Sequence, residues 1–141
     1  MAEQHSGIIP HLAIDGAVEA IEFYKQAFGA TEMSRVPADD GKRLMHAAIT
    51  INGGTVFLHD DFPEYCSEGD ATRSPKIIGG TPVTLHLGVA DCDAAVKRAE
   101  TAGATVTMAP HDAFWGDRYA EIIDPFGHRW SFAHPLPGKP G

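Results

Sequence analysis

The residues of this chain that could do chemistry stand at matched places in two halves. His11 lies in Ile9-Pro10-His11-Leu12-Ala13-Ile14, and His86 lies in Thr84-Leu85-His86-Leu87-Gly88-Val89, 75 residues further on. Each segment leads into a short amphipathic stretch ending in Gly-Ala-Thr, at Gly29-Ala30-Thr31 and at Gly103-Ala104-Thr105. His11 precedes Gly29 by 18 residues and His86 precedes Gly103 by 17. An internal repeat marks one supersecondary unit used twice. A ligand would then sit in a cavity built from equivalent strands of both halves. Imidazole titrates near neutral pH and serves as acid, base or metal ligand. His46 and Glu121 are placed to face the same cavity, with Trp115 and Tyr119 beside it. Aromatic faces with nearby carboxylates suit planar or cationic ligands.

Two runs of elements must position these groups. Alternation over residues 8–14 reads as a strand. Asp15 is placed to cap a helix with the apolar stripe Val18, Ile21, Tyr24 and Phe28, stopped by Gly29. Residues 31–36 read as a second strand. His46–Ile51 and Thr55–Asp60 read as strands joined by the tight-hairpin pair Asn52-Gly53. The second half repeats this order. Val83–Val89 is a strand, and Asp91 or Asp93 caps a helix with the stripe Ala95, Val96 and Ala99. Ala104–Met108 is the next strand. Arg118–Ile123 and His128–Ala133 then flank Asp124-Pro125-Phe126-Gly127, which suits a type I turn with glycine left-handed. Pro110–Asp117, with His111, Phe114 and Trp115, reads as irregular.

This order gives one domain over 8–134. Module one spans 8–60, a linker rich in Pro, Gly, Ser and charge spans 61–81, and module two spans 82–134. Residues 135–141 form a flexible tail. The fold class expected is α+β: two βαβββ modules forming a cup-shaped mixed β-sheet with helices on its outer face.

Alternation also sorts the strands into faces. Leu12, Ile14, Ala47, Ile49, Ile51, Phe57, Leu85, Leu87, Val89, Ile122, Trp130 and Phe132 form an apolar face for the helices. The opposite face carries Ile9, His11, Ala13, His46, Ala48, Leu58, Thr84, His86, Tyr119, Glu121, Arg129 and Ser131. Glu121 joins it through a one-residue bulge at Gly127. Apolar residues interleaved with histidines suit a pocket wall. His59, His128, His134 and His5 read as ordinary strand, turn or terminal residues.

Composition bounds the partners. The 141 residues carry a net charge of −8, with 43% hydrophobic and 21% charged residues. This is the composition of a globular domain. The acidity argues against nucleic acid and anionic membranes and mildly favours neutral or cationic small ligands. No apolar run approaches the roughly 20 residues of a membrane span. The polar start, Met1–Gly7, lacks a signal-peptide core, so a cytoplasmic location is expected. Cys66 and Cys92 are expected as free thiols there.

The motifs Ile14-Asp15-Gly16-Ala17, Ile21-Glu22-Phe23-Tyr24-Lys25-Gln26-Ala27-Phe28-Gly29-Ala30, Met45-His46-Ala47, Gly116-Asp117-Arg118 and Asp124-Pro125-Phe126-Gly127-His128 stand in this order. Together they resemble the vicinal oxygen chelate superfamily, and within it the PhnB-like branch of the glyoxalase/bleomycin resistance/dioxygenase group. The resemblance covers residues 8–134. It implies paired βαβββ modules and a homodimer. In metal-dependent members it also implies four His, Gln or Glu ligands from the first and last strands of each module. Those positions fall on Ile9, Leu58, Thr84 and Ser131, so the usual metal centre is absent and no cofactor is expected. A divalent metal relocated to His11, His46, His86 and Glu121 is the alternative. The expected function is metal-independent small-molecule binding of the glyoxalase/bleomycin resistance type, sequestering a toxic or antibiotic compound. The ligand-binding residues would be His11, His46, His86, Trp115, Tyr119 and Glu121. The other reading is a lyase, isomerase or dioxygenase-like enzyme using the cup histidines and Glu121, with or without such a metal.

Overall fold

A computed structural model describes residues 7–65 and 73–138. His5, Cys66, the middle of the linker and the last three residues lie outside the described residues.

The chain runs β1 (His11–Ile14), α1 (Ala17–Phe28), β2 (Thr31–Pro37), β3 (Leu44–Ile51) and β4 (Gly54–Asp60). A 3-10 turn at Pro63–Tyr65 and the short α2 (Pro75–Ile78) follow. Then come β5 (Thr84–Gly88), α3 (Cys92–Ala102), β6 (Thr105–Asp112), β7 (Asp117–Ile123) and β8 (Arg129–Pro135). The strands form two four-stranded mixed sheets, ordered β1-β4-β3-β2 and β5-β8-β7-β6. In each the first strand is parallel to the last and the other pairs are antiparallel. This is the α+β fold expected from the repeat, with two separate sheets in place of one continuous one. Among the described residues no helix is long and apolar enough to cross a membrane.

The two long helices, α1 and α3, lie on one side of the sheets. Helix α1 packs against α3, and its Tyr24 and Phe28 rings meet Trp130 and Phe132 of β8 at centroid distances of 4.7–5.8 Å. The Ile14, Ile21, Tyr24, Ile49, Leu58, Ile122, Trp130 and Phe132 side chains form the buried centre. The two polar sheet faces therefore look away from both helices.

Asp60, not Asp15, satisfies the start of α1. Its Oδ1 accepts from the backbone N–H of Gly16 and of Ala17, each at 2.9 Å, and its Oδ2 accepts from Leu44 at 2.7 Å. The first amide groups of a helix have no partner within it, and a carboxylate there also meets the positive end of the helix dipole. Asp15 stands at the surface, 3.6 Å from Lys76. In module two Asp91 does cap α3, accepting from Ala94 at 3.1 Å.

With Asp60 turned inward, β4 takes the opposite phase to the one expected. Leu58 is fully buried in the core, while Phe57 pairs with His11 on the polar face. The other faces match the alternation, and Glu121 sits opposite Ser131. The Asn52-Gly53 turn is as expected, with positive φ at both residues (50° and 81°) and Ile51 opposite Gly54. That is the type I′ pattern, whose twist matches a hairpin. Most strand limits shift by a residue or two, and three of the shifts bear on the expected layout. β1 begins only at His11. β6 continues through Pro110 to Asp112, past two register shifts on an edge where proline is tolerated. β8 runs to Pro135, so the expected tail begins inside a strand.

A second buried carboxylate ties the modules together. Asp124 accepts from Tyr24 Oη at 2.6 Å and Trp130 Nε1 at 2.9 Å through Oδ2, and from the backbone of Phe126 and His128 through Oδ1. Burial first, and then this neighbouring carboxylate, holds the Tyr24 phenol well above its usual pKa. His128 is buried and donates from Nε2 to the Ala13 carbonyl at 2.9 Å. Asn52 donates to the Gly88 carbonyl at 3.0 Å.

Replacing Asp60 by Ala leaves three N–H groups without an acceptor, two of them buried, and is expected to cost about 3 kcal/mol. The same change at Asp15 costs under about 0.5 kcal/mol. Urea unfolding measures both, and equal losses would contradict the capping assignment. At Gly127 φ is +90° and an added Cβ would lie 2.7 Å from Pro75 Cβ. Gly127→Ala is expected to lower stability by about 2 kcal/mol, read in the same experiment.

Candidate functional site

The polar face of module one is a cluster of rings. His11 on β1 meets His59 on β4 at 4.9 Å between centroids, and His46 on β3 at 5.8 Å. Phe57 lies 5.8 Å from His11 and 4.8 Å from His46. His59 donates from Nδ1 to its neighbour's carbonyl, Asp60 O, at 2.7 Å, which leaves Nε2 as the bare nitrogen. Burial, then the charges of His59 and His46, lower the His11 pKa.

The polar face of module two is built differently. The His86 ring stacks on Tyr119 at 6.3 Å, Trp115 meets Tyr119 edge-on at 5.3 Å, and His111 lies 6.2 Å from Tyr119. His86 Nδ1 is 2.7 Å from the buried Ser131 Oγ. The Tyr119 hydroxyl donates to Glu121 Oε2 at 3.1 Å, and Trp115 Nε1 donates to Asp117 at 3.0 Å. Burial is the largest influence raising the Tyr119 pKa, and Glu121 adds to it. The nearby Ser131 hydroxyl works the other way. Phe114 is almost wholly exposed beside Trp115, 5.1 Å from its ring. Arg118 pairs with Asp93 and Asp112, bracing the strand that carries Tyr119 and Glu121.

Between the two sheets runs a cleft of about 770 Å³. It is bounded by the β3–β4 turn, the start of β1 at Ile9 and Pro10, and β5 from Thr84 to Gly88, with His86 in its wall. β1 and β5 are edge strands of their sheets, so the cleft separates two edges.

All six residues singled out from the sequence lie on the polar faces, in two groups. His11 and His46 meet in module one. His86, Tyr119, Trp115 and Glu121 meet in module two. His11, His46, His86 and Glu121 do not form one cluster. Among the described residues no three His, Cys, Asp or Glu side chains stand where they could hold one metal ion. The positions used by metal-dependent relatives also do not fit a metal. Ile9 offers only hydrocarbon. Phe57 takes the place assigned above to Leu58, because it partners His11 as Ser131 partners His86. Ser131 Oγ is held by His86.

Sequence reasoning missed Phe57 and His59, and gave Ser131 no partner. The signal for the first two was Asp60, whose cap sets the phase of β4. His128 and His134 are structural: His134 Nδ1 accepts from the Cys92 amide at 2.8 Å. Cys92 itself is buried, and burial pushes its thiol up to about 11.

Because His11 is lowered in the folded state, the unfolded chain binds its proton more readily. Its contribution to stability is present above the unfolded pKa near 6.5 and is lost as pH falls from there through the lower folded-state value. His11→Gln is expected to flatten the fall in stability between about pH 7 and pH 5, measured by urea midpoints. An unchanged slope would contradict it.

The comparisons with known proteins agree with this architecture. The family model described as Glyoxalase/Bleomycin resistance protein/Dioxygenase superfamily matches residues 8–132. The chain is 54% identical over 127 residues to the uncharacterized protein Mb0911c of Mycobacterium bovis, covering 90% of this chain and 82% of that one. Among solved structures, TioX from Micromonospora sp. ML1 superposes with a TM-score of 0.72 at 26% identity, covering 94% of this chain and 100% of TioX. The Arabidopsis thaliana protein At5g48480 superposes with a TM-score of 0.71 at 27% identity, covering 93% and 100%. With its family model matched over nearly the whole chain, the protein belongs to the Glyoxalase/Bleomycin resistance protein/Dioxygenase superfamily.

Proposed function

We propose that the protein binds a planar or cationic small molecule without a metal, sequestering a toxic or antibiotic compound, and that it does so as a homodimer of the PhnB-like branch. The observation that carries this reading is the module-two face. Trp115, Tyr119 and His86 form a run of rings, and Glu121 and Asp117 hold carboxylates beside it. A flat ligand gains stacking there, and a positive charge gains both the ring faces and the acids. The net charge of −8 adds a field that favours cations. The motifs quoted from the sequence support the branch. Phe114 and Trp115 leave an exposed aromatic tip that a second copy would cover.

One observation favours the second reading, an enzyme of the lyase or isomerase kind. His86 bonds to Ser131 and Tyr119 bonds to Glu121, two hydrogen-bonded pairs on one sheet face, with His86 also in the wall of the cleft.

Tryptophan fluorescence separates ligand from scaffold, because Trp115 is half-exposed and Trp130 is buried. Planar aromatic cations are expected to quench the emission and raise Tm, with neutral aromatics weaker and anionic ones weakest. Trp115→Ala is expected to weaken binding about tenfold, or about 1.4 kcal/mol. Anions binding as well as cations, or no binder in a broad set, would overturn the proposal.

A further inference from the structure

We propose that the cavity between α2 and the β7–β8 turn binds the phosphate group of a short aliphatic phosphate monoester, with the Arg129 guanidinium as its main donor and the Lys76 ammonium as a second cation. The site lies apart from the ring face of module two, since none of His86, Trp115 and Tyr119 lines it. It does not depend on what that face binds.

The cavity follows from the way the chain returns to module two. Pro75 of α2 seats on the turn at Gly127, so closely that a Cβ there would lie 2.7 Å from Pro75 Cβ. Gly79 ends α2 with a φ of 82°, and Gly80 and Thr81 lead on toward β5. Between this segment, the Asp124–Gly127 turn and the first residue of β8 lies a volume of about 400 Å³. That is the size of a small-ligand pocket.

Its charge is the informative feature. Arg35, Arg43, Arg98 and Arg118 each donate to a carboxylate or carbonyl of the chain. Arg129 is half-buried, and among the described residues it makes no hydrogen bond and no ion pair. A guanidinium cannot shed its charge, and its N–H donors form a fork that matches an oxyanion. Lys76 lines the same cavity, with Asp15 3.6 Å from its ammonium as a weak, exposed partner. The acid in the wall is Asp124, and four donors already occupy its two oxygens. Glu121, two residues from Ile123 on β7, accepts from Tyr119. The Gly79 and Gly80 amides are spent on the Pro75 carbonyl, and the Thr81 hydroxyl on Val83. What is left over is positive.

Two cations favour a dianionic phosphate over a carboxylate. The volume leaves room beyond the phosphate, and Pro75, Ile123, Pro125 and Phe126 line it with apolar surface. The group therefore comes attached to a short apolar chain. The net charge of −8 repels anions at long range. Salt screens that field over about 8 Å, whereas the fork acts by contact.

NMR titration of the full chain with n-butyl phosphate, inorganic phosphate, butyrate, butylamine and butanol tests this. n-Butyl phosphate is expected to bind more tightly than butyrate and to shift the Gly79, Gly80 and Thr81 amides, while butylamine and butanol do not bind. Arg129→Gln is expected to weaken binding at least about tenfold, the scale of one charge-assisted hydrogen bond. Lys76→Gln should weaken it about threefold, as suits an exposed charge. Arg129 has no partner to lose, so Arg129→Gln should keep its urea midpoint. Arg129→Lys, which keeps the charge without the fork, should bind at an intermediate level. No binding of n-butyl phosphate, equal binding of butanol, or binding unchanged in both Arg129→Gln and Arg129→Lys overturns the site. Loss of binding in Trp115→Ala would move the ligand to the ring face and overturn it as well. Inorganic phosphate binding as tightly as n-butyl phosphate overturns the monoester assignment.

Discussion

The carboxylate of Asp60 sets the phase of a strand, and the site follows from that phase. Three backbone N–H groups converge on it, two from the start of α1 and one from the start of β3. Burying a charge is costly unless it is fully hydrogen-bonded, and here the donors come with a helix dipole. Once Asp60 faces the helix, period-two alternation forces Leu58 and Val56 inward, and both are buried. Phe57 and His59 must then face the other way. The histidine cluster of module one exists because a helix in the same module needed an acceptor.

Asp124 plays a corresponding part between modules. It joins Tyr24 of α1 to Trp130 of β8 and closes the turn before β8. Two further contacts share one logic. The turn before the last strand of each module reaches the first strand of the other: Asn52 to Gly88, and His128 to Ala13. The edges of β1 and β5 are thus held near each other at both ends without pairing, and the cleft is the space left between them. Wide exposure of two strand edges is usually a hazard for association. Here the contacts at each end keep them inside one molecule.

The fold was legible because its signals are local and redundant. Gly29 and Gly103 both end helices with positive φ, Asn52-Gly53 makes its hairpin, and the Asp124–Gly127 turn places Glu121 opposite Ser131. The phase of β4 was not legible, because Val56, Phe57 and Leu58 are apolar in succession and alternation then permits either face. Phe57 is the largest of the three, and its size favoured the core. The deciding group was a buried aspartate, which pattern reasoning treats as exposed. The cap of α1 was misassigned for the same reason, since Asp15 is adjacent in sequence whereas Asp60 is 43 residues from the amide it serves. The site residues of module two were found because their strands alternate cleanly. Their hydrogen-bond partners depend on three strands at once, and no single stretch of sequence carries that information.

The repeat explains why the two faces differ in chemistry. Phe57 and Ser131 occupy the same place, each opposite the module's conserved-in-repeat histidine, His11 or His86. A phenyl group can only pack against imidazole, so His11 is left among rings and its charged form is disfavoured. A hydroxyl can accept and donate, so His86 gains a hydrogen-bonding partner, next to the Tyr119–Glu121 pair. One substitution between the halves therefore separates a packing face from a hydrogen-bonded one. A metal needs matching donors from both halves at once, and this asymmetry removes them. Hydrogen bonds within one half need no such symmetry, and for that reason divergence of the two modules leaves the His86–Ser131 and Tyr119–Glu121 pairs intact.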